Sequence, residues 1–172
     1  MQNLGNKIVV VGVSASGKST FSRRLGQKLQ IPVTYMDAIM WKPGWNYIGD
    51  EETERVLNEV STRERWIIEG YISKGSRTAI FEKADSIIYL DYSRWTVAWR
   101  YIKRYWKHRT HPRPELEGSP EKFSFKFFKL VWTKGEAISL NKFLAEIKDK
   151  SKITTLTSPQ EAENFLARIT SA

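Results

Sequence analysis

The sequence predicts a three-layer α/β fold, a central parallel sheet of about five strands covered by helices on both faces. Apolar segments rich in Val and Ile alternate with segments whose apolar residues recur at helical spacing. This alternation favours right-handed crossovers, which make the strands parallel. Apolar residues make up 41% of the chain and charged residues 27%, as in ordinary globular proteins. The length of 172 residues fits one domain, which we expect to span 1–172.

Five segments have the composition of strands, because each is a short run rich in β-branched or other apolar residues. In chain order they are 7–13, 32–36, 65–70, 86–91 and 152–157. Each is followed by a helical or irregular segment rather than by a tight hairpin turn, so parallel pairing is expected.

Six segments have the pattern of helices. They are 18–30, 50–64, 78–84 (one or two turns), 93–108, more than one helix within 121–150, and 159–169. In the first of them Phe21, Leu25 and Leu29 form a single apolar stripe. Pro112 and Pro114 end the long fourth helix, because proline cannot continue an α-helix.

The composition also excludes some kinds of chemistry. The chain has no cysteine, which rules out a disulfide framework and thiolate catalysis. Its first residues lack the basic start and long apolar centre of a signal peptide, and no apolar run reaches the length of a membrane span. We therefore expect a cytoplasmic protein that does not insert into a membrane.

The segment GVSASGKST connects the first predicted strand to the first predicted helix, and it matches the pattern G-x-x-x-x-G-K-[ST] in full. Glycines let the backbone N–H groups turn inward, and the helix N-terminus adds the positive end of its dipole, so the segment suits phosphate. A Gly/Ser turn could match by chance, but strand and helix flank this one. We predict an ATP and Mg²⁺ site, with nucleotide contacts at Gly12, Ser14, Ala15, Ser16, Gly17, Lys18, Ser19 and Thr20.

Two further observations narrow the class of nucleotide-binding protein. GTPases read their base with an N-K-x-D element, which is absent here: the segment at Asn141 continues Asn-Lys-Phe-Leu. Motor-type ATPases generally need longer chains. A small kinase remains, in which Lys18 bridges the outer phosphates and the Ser19 hydroxyl contacts Mg²⁺.

The chain also resembles the adenylate-kinase-related small kinases, and within them the DNA topology modulation (FlaR-like) proteins. The segments that carry this resemblance are GVSASGKST, MDAIMWKPGW, WIIEGY, ADSIIYLDYSRW, HPRPELEGSPEKF and ITTLTSPQEAENFL. The resemblance covers essentially the whole chain. It implies a phosphate-loop kinase fold with a five-stranded parallel sheet and a mobile basic lid.

Three acids stand at the predicted carboxyl ends of strands, where open parallel sheets place their ligands. Asp37 follows the second strand and, as in similar kinases, would orient or deprotonate the acceptor hydroxyl or hold Mg²⁺ through water. Glu69 ends the third strand, at the place of the Asp-Gly element of adenylate kinases, and is predicted to be catalytic. Asp91 ends the fourth strand and could help to hold Mg²⁺. Each could instead cap a helix or face water.

The expected reaction is transfer of the γ-phosphate of MgATP to a small-molecule or nucleotide acceptor, which we expect to bind in the region 37–64. Residues 37–50 contain Lys42-Pro43-Gly44 and predict a loop. This loop carries Trp41 and Trp45, which either pack on the domain or line an acceptor pocket together with Tyr71.

The region 94–134 is predicted to be a basic helical lid. It contains eleven Lys and Arg residues against three acids, which accounts for +8 of the net charge of +9. Arg100 and Arg104, one helical turn apart, are predicted to clamp phosphate during transfer. Arg109 and Arg113 would close over the nucleotide. By analogy with related kinases, Ser158 and Pro159 would contact the nucleotide after the last strand.

The same basic region leaves other interpretations open. Its interleaved aromatic residues and cations could bind nucleic acid, which gives an ATP-dependent nucleic-acid-binding protein as the alternative function. A helical wheel puts Trp95, Trp99, Ile102 and Trp106 on one side, extended by Ala98, Tyr101 and Tyr105, and puts Arg100 and Arg104 on the other. This separation predicts that the aromatic side faces the core. The same wheel fits a helix lying on an anionic membrane, although a helix with a core to pack against makes that less favoured. The aromatic residues could also form a homodimer surface.

Overall fold

Five parallel strands form the central sheet of the computed structural model, which describes residues 4–72 and 74–169. The ends of the predicted domain 1–172 lie outside the described residues. The strands are β1 (Lys7–Gly12), β2 (Val33–Tyr35), β5 (Trp66–Glu69), β6 (Ser86–Leu90) and β7 (Ile153–Leu156), in the spatial order β2-β5-β1-β6-β7. The parallel register pairs Val10 with both Glu69 and Ile88. The predicted fold class is therefore confirmed.

Helices cover both faces of this sheet. The described residues contain α1 (Lys18–Leu29), α2 (Met36–Met40), α3 (Asp50–Ser61), α4 (Lys74–Lys83), α5 (Arg94–His108), α6 (Phe125–Thr133), α7 (Gly135–Glu146) and α8 (Pro159–Arg168), with a 3₁₀ turn at Lys150–Lys152. Within these residues, no helix is long and apolar enough to span a membrane.

The strands separate two hydrophobic cores, because successive side chains of a strand point to opposite faces. Ile8 and Val10 of β1 pack with Leu25 and Phe165 on one face. Val9 of β1 packs with Leu57 and other apolar side chains on the opposite face. All five predicted strand segments are present; the residues of β5 and β6 are buried throughout, whereas the edge strand β2 is only half-buried.

The predicted loop 37–50 is wrong in part. Residues Met36–Met40 form the short helix α2, and an antiparallel pair, β3 (Trp41–Lys42) and β4 (Asn46–Tyr47), surrounds the turn at Pro43-Gly44. The turn was correctly placed, but two-residue strands are too short to show a period of two in a sequence. Helix α4 begins four residues earlier than its predicted start at Thr78.

The prediction that the aromatic side of α5 faces the core is wrong for its three tryptophans and holds only for Ala98 and Tyr101. Trp95, Trp99 and Trp106 are 71%, 66% and 59% exposed, whereas Val97 and Tyr101 are buried. The reason is that α5 has three faces: one packs on the core and on α6, one carries the lid arginines, and the third carries the three tryptophans. A wheel shows that charges and aromatics are separated, but it does not show which stripe becomes buried.

Helix α1 must approach the sheet closely if the phosphate loop is to sit at the end of β1. Gly26 on α1 permits this approach, because a Cβ added there would lie 2.8 Å from the Ile31 carbonyl oxygen and 2.5 Å from Val33 Cγ2. The Ile31 oxygen belongs to the backbone, so it cannot rotate away.

We expect Gly26→Ala to lower the free energy of unfolding by about 1–3 kcal/mol through overpacking, although alanine normally favours a helix over glycine. Gly75→Ala on α4 is the matched control, because its Cβ would meet only the far end of the flexible Glu54 side chain. Urea unfolding should show the loss at Gly26 and either no change or a gain at Gly75. Equal stability of Gly26→Ala and the wild type would contradict this account of the α1 packing.

Candidate active site

A cavity of about 1120 Å³ opens at the carboxyl ends of β1 and β5. Its wall combines the phosphate loop with residues from α1, α5, α7 and α8 and from the segment that follows α5. Parallel strands end at a common edge of the sheet, so residues distant in sequence meet there. The cavity brings together the predicted site residues Gly12, Ser14, Ala15, Gly17, Lys18, Ser19, Thr20, Asp37, Glu69, Tyr71, Arg100, Arg104, Arg113 and Pro159.

The phosphate loop folds as a tight turn between β1 and α1. Ala15 and Gly17 have φ angles of 65° and 93°, and the Ser16 N–H donates to the Val13 carbonyl oxygen at 3.1 Å. The loop then leads directly into α1, whose first N–H groups have no partner within the helix and can bind an anion. The Lys18 ammonium lies beside the loop and donates to the Val13 carbonyl oxygen at 3.1 Å. The first N–H groups of α1 and the Lys18 ammonium therefore lie as hydrogen-bond donors on one side of the cavity.

Glu69 is a carboxylate buried beside these donors. Its side chain is at a position only 2% exposed, and the Ser19 hydroxyl donates to its Oε1 at 3.0 Å. Its Oε2 is buried and has no hydrogen-bond partner among the described residues. Burial raises the pKa of Glu69 from its ordinary value of 4.5 to about 7, opposed mainly by Lys18 and assisted by Asp37. Glu69 can therefore exchange a proton near neutral pH.

Asp37 lies in the first turn of α2 and lines the same cavity. Its carboxyl Oδ2 lies 3.6 Å from Arg113 Nη1, and 41% of its side chain is exposed. The carboxylate is thus held by an arginine but remains accessible to a bound molecule. A small hydroxyl compound in the cavity could meet Asp37 on one side and Glu69 on the other.

The residues present fit Mg²⁺ better than a transition metal. The part of the chain that the structure describes has no cluster of three His, Cys, Asp or Glu side chains suited to hold a metal alone. Mg²⁺ prefers oxygen ligands and usually keeps several waters and phosphate oxygens, so it needs few protein ligands. The Ser19 hydroxyl and the unpaired Glu69 Oε2 supply oxygens beside the phosphate loop.

Three arginines of the predicted lid, Arg100, Arg104 and Arg113, line the cavity. Arg100 Nη1 donates to the Ser16 carbonyl oxygen at 2.5 Å, so this guanidinium contacts the phosphate loop directly. The Nε atoms of Arg104 and Arg113 lie 3.2 Å and 2.9 Å from Glu121 Oε1, which makes ion pairs by distance without hydrogen-bond alignment. Burial lowers the pKa of Arg104, while the Glu121 carboxylate opposes that change. Glu121 thus pairs with two lid arginines and offsets one of their two positive charges.

Sequence reasoning missed two acids of this site, Glu121 and Glu136. The carboxylate of Glu136, on the first turn of α7, accepts the Ser14 N–H at 2.6 Å and the Ser14 hydroxyl at 2.8 Å. These contacts span 122 positions of the chain. A single glutamate in a predicted helix gives no local signal of such a contact.

The structure places several predicted residues away from the cavity wall. Asp91 forms an ion pair with Lys134. Trp41 and Trp45 pack against each other in the β3–β4 pair, and the Trp45 indole N–H donates to the Pro120 carbonyl oxygen at 2.9 Å. Arg109 lies over the Trp106 ring, 4.3 Å from its centroid.

Ser158 and Ser16 also lie off the cavity wall. The Ser158 hydroxyl caps α8 by accepting the Glu161 N–H at 3.2 Å. Ser16, within the phosphate loop, is fully buried, and its hydroxyl has no hydrogen-bond partner among the described residues. The roles assigned to all of these residues stay predictions.

The fold is shared with small kinases of known structure. A gluconokinase from Sinorhizobium meliloti 1021 superposes with a TM-score of 0.56 at 20% identity, covering 97% of this chain and 94% of the other. A sugar kinase from Janibacter sp. HTCC2649 gives a TM-score of 0.54 at 19% identity, with coverages of 95% and 93%. Shikimate kinase from Bacteroides thetaiotaomicron gives 0.55 at 16% identity, with 94% of each chain covered.

Comparison by sequence adds no family to this result. The chain matches no protein-family model and no curated protein. The resemblance to DNA topology modulation proteins is not confirmed by these comparisons and stays a prediction. At such low identity the structural likeness shows the fold alone.

Burial of Glu69 predicts how stability depends on pH. Because its pKa is raised in the folded protein, folding takes up a proton between about pH 4.5 and 7, and the stability associated with the protonated form is lost as the pH rises through about 7. Glu69→Gln removes this charge. Since one pKa unit corresponds to about 1.4 kcal/mol, the variant should be more stable than the wild type by up to about 3 kcal/mol at pH 8.

Thermal unfolding at pH 5 and pH 8 would check this expectation. The advantage of Glu69→Gln should be large at pH 8 and small at pH 5. An advantage independent of pH, or a loss of stability at pH 8, would show that Glu69 is not a buried carboxylate with a raised pKa.

Proposed function

We propose that this protein is a small-molecule kinase that transfers the γ-phosphate of MgATP to a hydroxyl group of an acceptor. The observation that carries the proposal is the convergence of a phosphate loop, two acids and lid arginines on one cavity. Phosphoryl transfer needs chiefly positioning and charge neutralisation, and these residues can supply both. The structural likeness to kinases supports the same reaction.

Each part of the cavity has a role in the proposed reaction. The phosphate loop and Lys18 hold the phosphates, and Arg100 reaches the loop from the lid to neutralise charge. Asp37, the more exposed of the two acids, orients the acceptor hydroxyl and takes up its proton as the acceptor oxygen bonds to the γ-phosphorus and the bond to the ADP oxygen breaks. Bound Mg²⁺, held through Ser19 and Glu69, would screen the phosphate charges.

The acceptor we propose is a small hydroxyl compound. The structural neighbours are named for kinases of gluconate, of a sugar and of shikimate, which favours that class over a macromolecule. Tyr71, Arg77 and Arg23 line the cavity near the two acids and could contact such a molecule. The lid segment with Arg113 is tied to Asp37, so closing of the lid and placing of the acceptor would be coupled.

We expect Lys18→Ala to abolish ATP consumption, with a loss of at least a hundredfold, because the outer phosphates lose their main cation. Circular dichroism and thermal unfolding should show an intact fold, since the hydrogen bond of Lys18 is to the Val13 oxygen within its own loop rather than to another element. Asp37→Asn is the matched comparison: it should bind ATP normally and lose transfer. Unchanged ATP turnover in Lys18→Ala would refute the phosphate-loop assignment.

A second candidate function is the binding of single-stranded nucleic acid by the lid. The observation that favours it is the exposed aromatic surface of α5, α6 and the residues just before α6, formed by Trp95, Trp99, Trp106, Phe123 and Phe125. Exposed cations, among them Lys103, Lys126 and Lys129, lie in the same two helices. Aromatic rings beside cations are the features on which bases stack and phosphates bind.

This candidate predicts that Trp99→Ala weakens binding of a labelled single-stranded oligonucleotide about tenfold, because stacking on one aromatic ring contributes about 1–3 kcal/mol. Ile138→Ala removes another exposed apolar side chain, on α7, and should leave binding unchanged. Fluorescence anisotropy at several salt concentrations measures both. Equal affinity of the two variants for the oligonucleotide would exclude stacking on this surface.

A further inference from the structure

Glu136 occupies donors that belong to the phosphate loop. Its two carboxylate oxygens accept the N–H and the hydroxyl of Ser14, at 2.6 Å and 2.8 Å. Glu136 is half-buried and lines the same cavity as Lys18 and Glu69. A side chain from α7 therefore places an anion on a loop whose N–H groups are suited to phosphate oxygens.

A phosphate oxygen and this carboxylate oxygen cannot use the same N–H at the same time. Hydrogen bonds between a charged acceptor and a backbone N–H are about twice as strong as neutral ones, so displacing Glu136 costs free energy. A phosphate chain that enters the loop must supply that free energy from its own contacts. The carboxylate would also repel the incoming phosphates until it moves away.

Other features of α7 do not require this contact. Glu136 stands in the first turn of α7, where a carboxylate interacts favourably with the helix dipole. This interaction does not depend on the contact with Ser14. Lys134, the residue before α7, has a φ angle of 52° and is held separately by its ion pair with Asp91. The side chain can thus leave Ser14 by rotating into the open cavity while α7 stays in place.

We propose that Glu136 is a built-in competitor for the phosphate site, which lowers the affinity of the loop for ATP and is displaced when the nucleotide binds. This inference rests on the proposed function, because it assumes that the nucleotide phosphates use the loop. It adds an affinity-determining residue to that site. The cavity carries a strong excess of cations, and Glu136 keeps part of that charge neutralised while no phosphate is bound.

Calorimetry with a non-hydrolysable MgATP analogue tests the inference. Glu136→Gln keeps the shape of the side chain but removes its charge, and Glu136→Ala removes the competitor. Both should bind the analogue about tenfold more tightly than the wild type, which corresponds to about 1.4 kcal/mol. Glu146→Gln, at the other end of α7 and exposed, changes the same charge away from the phosphate loop and should bind like the wild type.

Thermal unfolding separates competition from a purely structural tether. Glu136→Ala should lower the melting temperature of the ligand-free protein, because it loses both contacts to Ser14, and it should show a larger rise than the wild type on adding the analogue. If Glu136 stayed on Ser14 with nucleotide bound, the variant would be destabilised equally in both states.

The outcomes distinguish this inference from the proposed function. Wild-type binding with equal or weaker binding by both Glu136 variants would overturn the inference and leave the kinase proposal intact. Binding by the variants but not by the wild type would support a competitor strong enough to close the site. Absence of binding by all of them would overturn the inference and the nucleotide site together.

Discussion

The turn from β1 into α1 is the feature on which the candidate site depends. The backbone reverses there at Ala15 and Gly17, so that the loop and the free N–H groups of α1 face one cavity. This turn is held in place because β1 lies in the middle of the sheet, between β5 and β6. Glu69 at the end of β5 and Asp37 in the first turn of α2 lie beside the loop, although both are distant from it in the sequence.

The site also depends on a balance of buried charges. Glu69 is buried next to Lys18 and Asp37, and its raised pKa reflects the cost of that burial. Glu121 offsets the charge of Arg104 and Arg113. The acids partly offset the repulsion among the cations that line the phosphate site. The cavity can therefore be stable while no anion is bound.

Much of the fold and the centre of the site could be predicted from local sequence. The apolar strand segments and the full match of Gly12–Ser19 to a phosphate loop depend only on neighbouring residues. Glu69 was a candidate site residue because it ends an apolar strand segment. Contacts between distant elements could not be predicted in this way. The contact of Glu136 with Ser14 and the pairing of Asp91 with Lys134 depend on how α7 packs against the sheet.

The exposed face of α5 illustrates the same limit. The wheel placed Tyr101 at the edge of the aromatic side, and the core took this edge together with Val97, which left Trp99 at the centre of that side exposed. Which face of a helix is buried is decided by the surface it packs on. For α5 that surface includes α6, which begins at Phe125, well after α5 ends at His108. The aromatic surface therefore became visible only with the tertiary structure.

The central claim is that this protein transfers the γ-phosphate of MgATP to a small molecule bound in the cavity. Phosphorus NMR of purified protein with MgATP, a panel of small hydroxyl compounds, and single- and double-stranded DNA tests it most directly. The account predicts that one small compound accelerates ATP consumption and that a new phosphate-ester signal appears in step with ADP. Acceleration by DNA alone, with inorganic phosphate as the only new product, would contradict it.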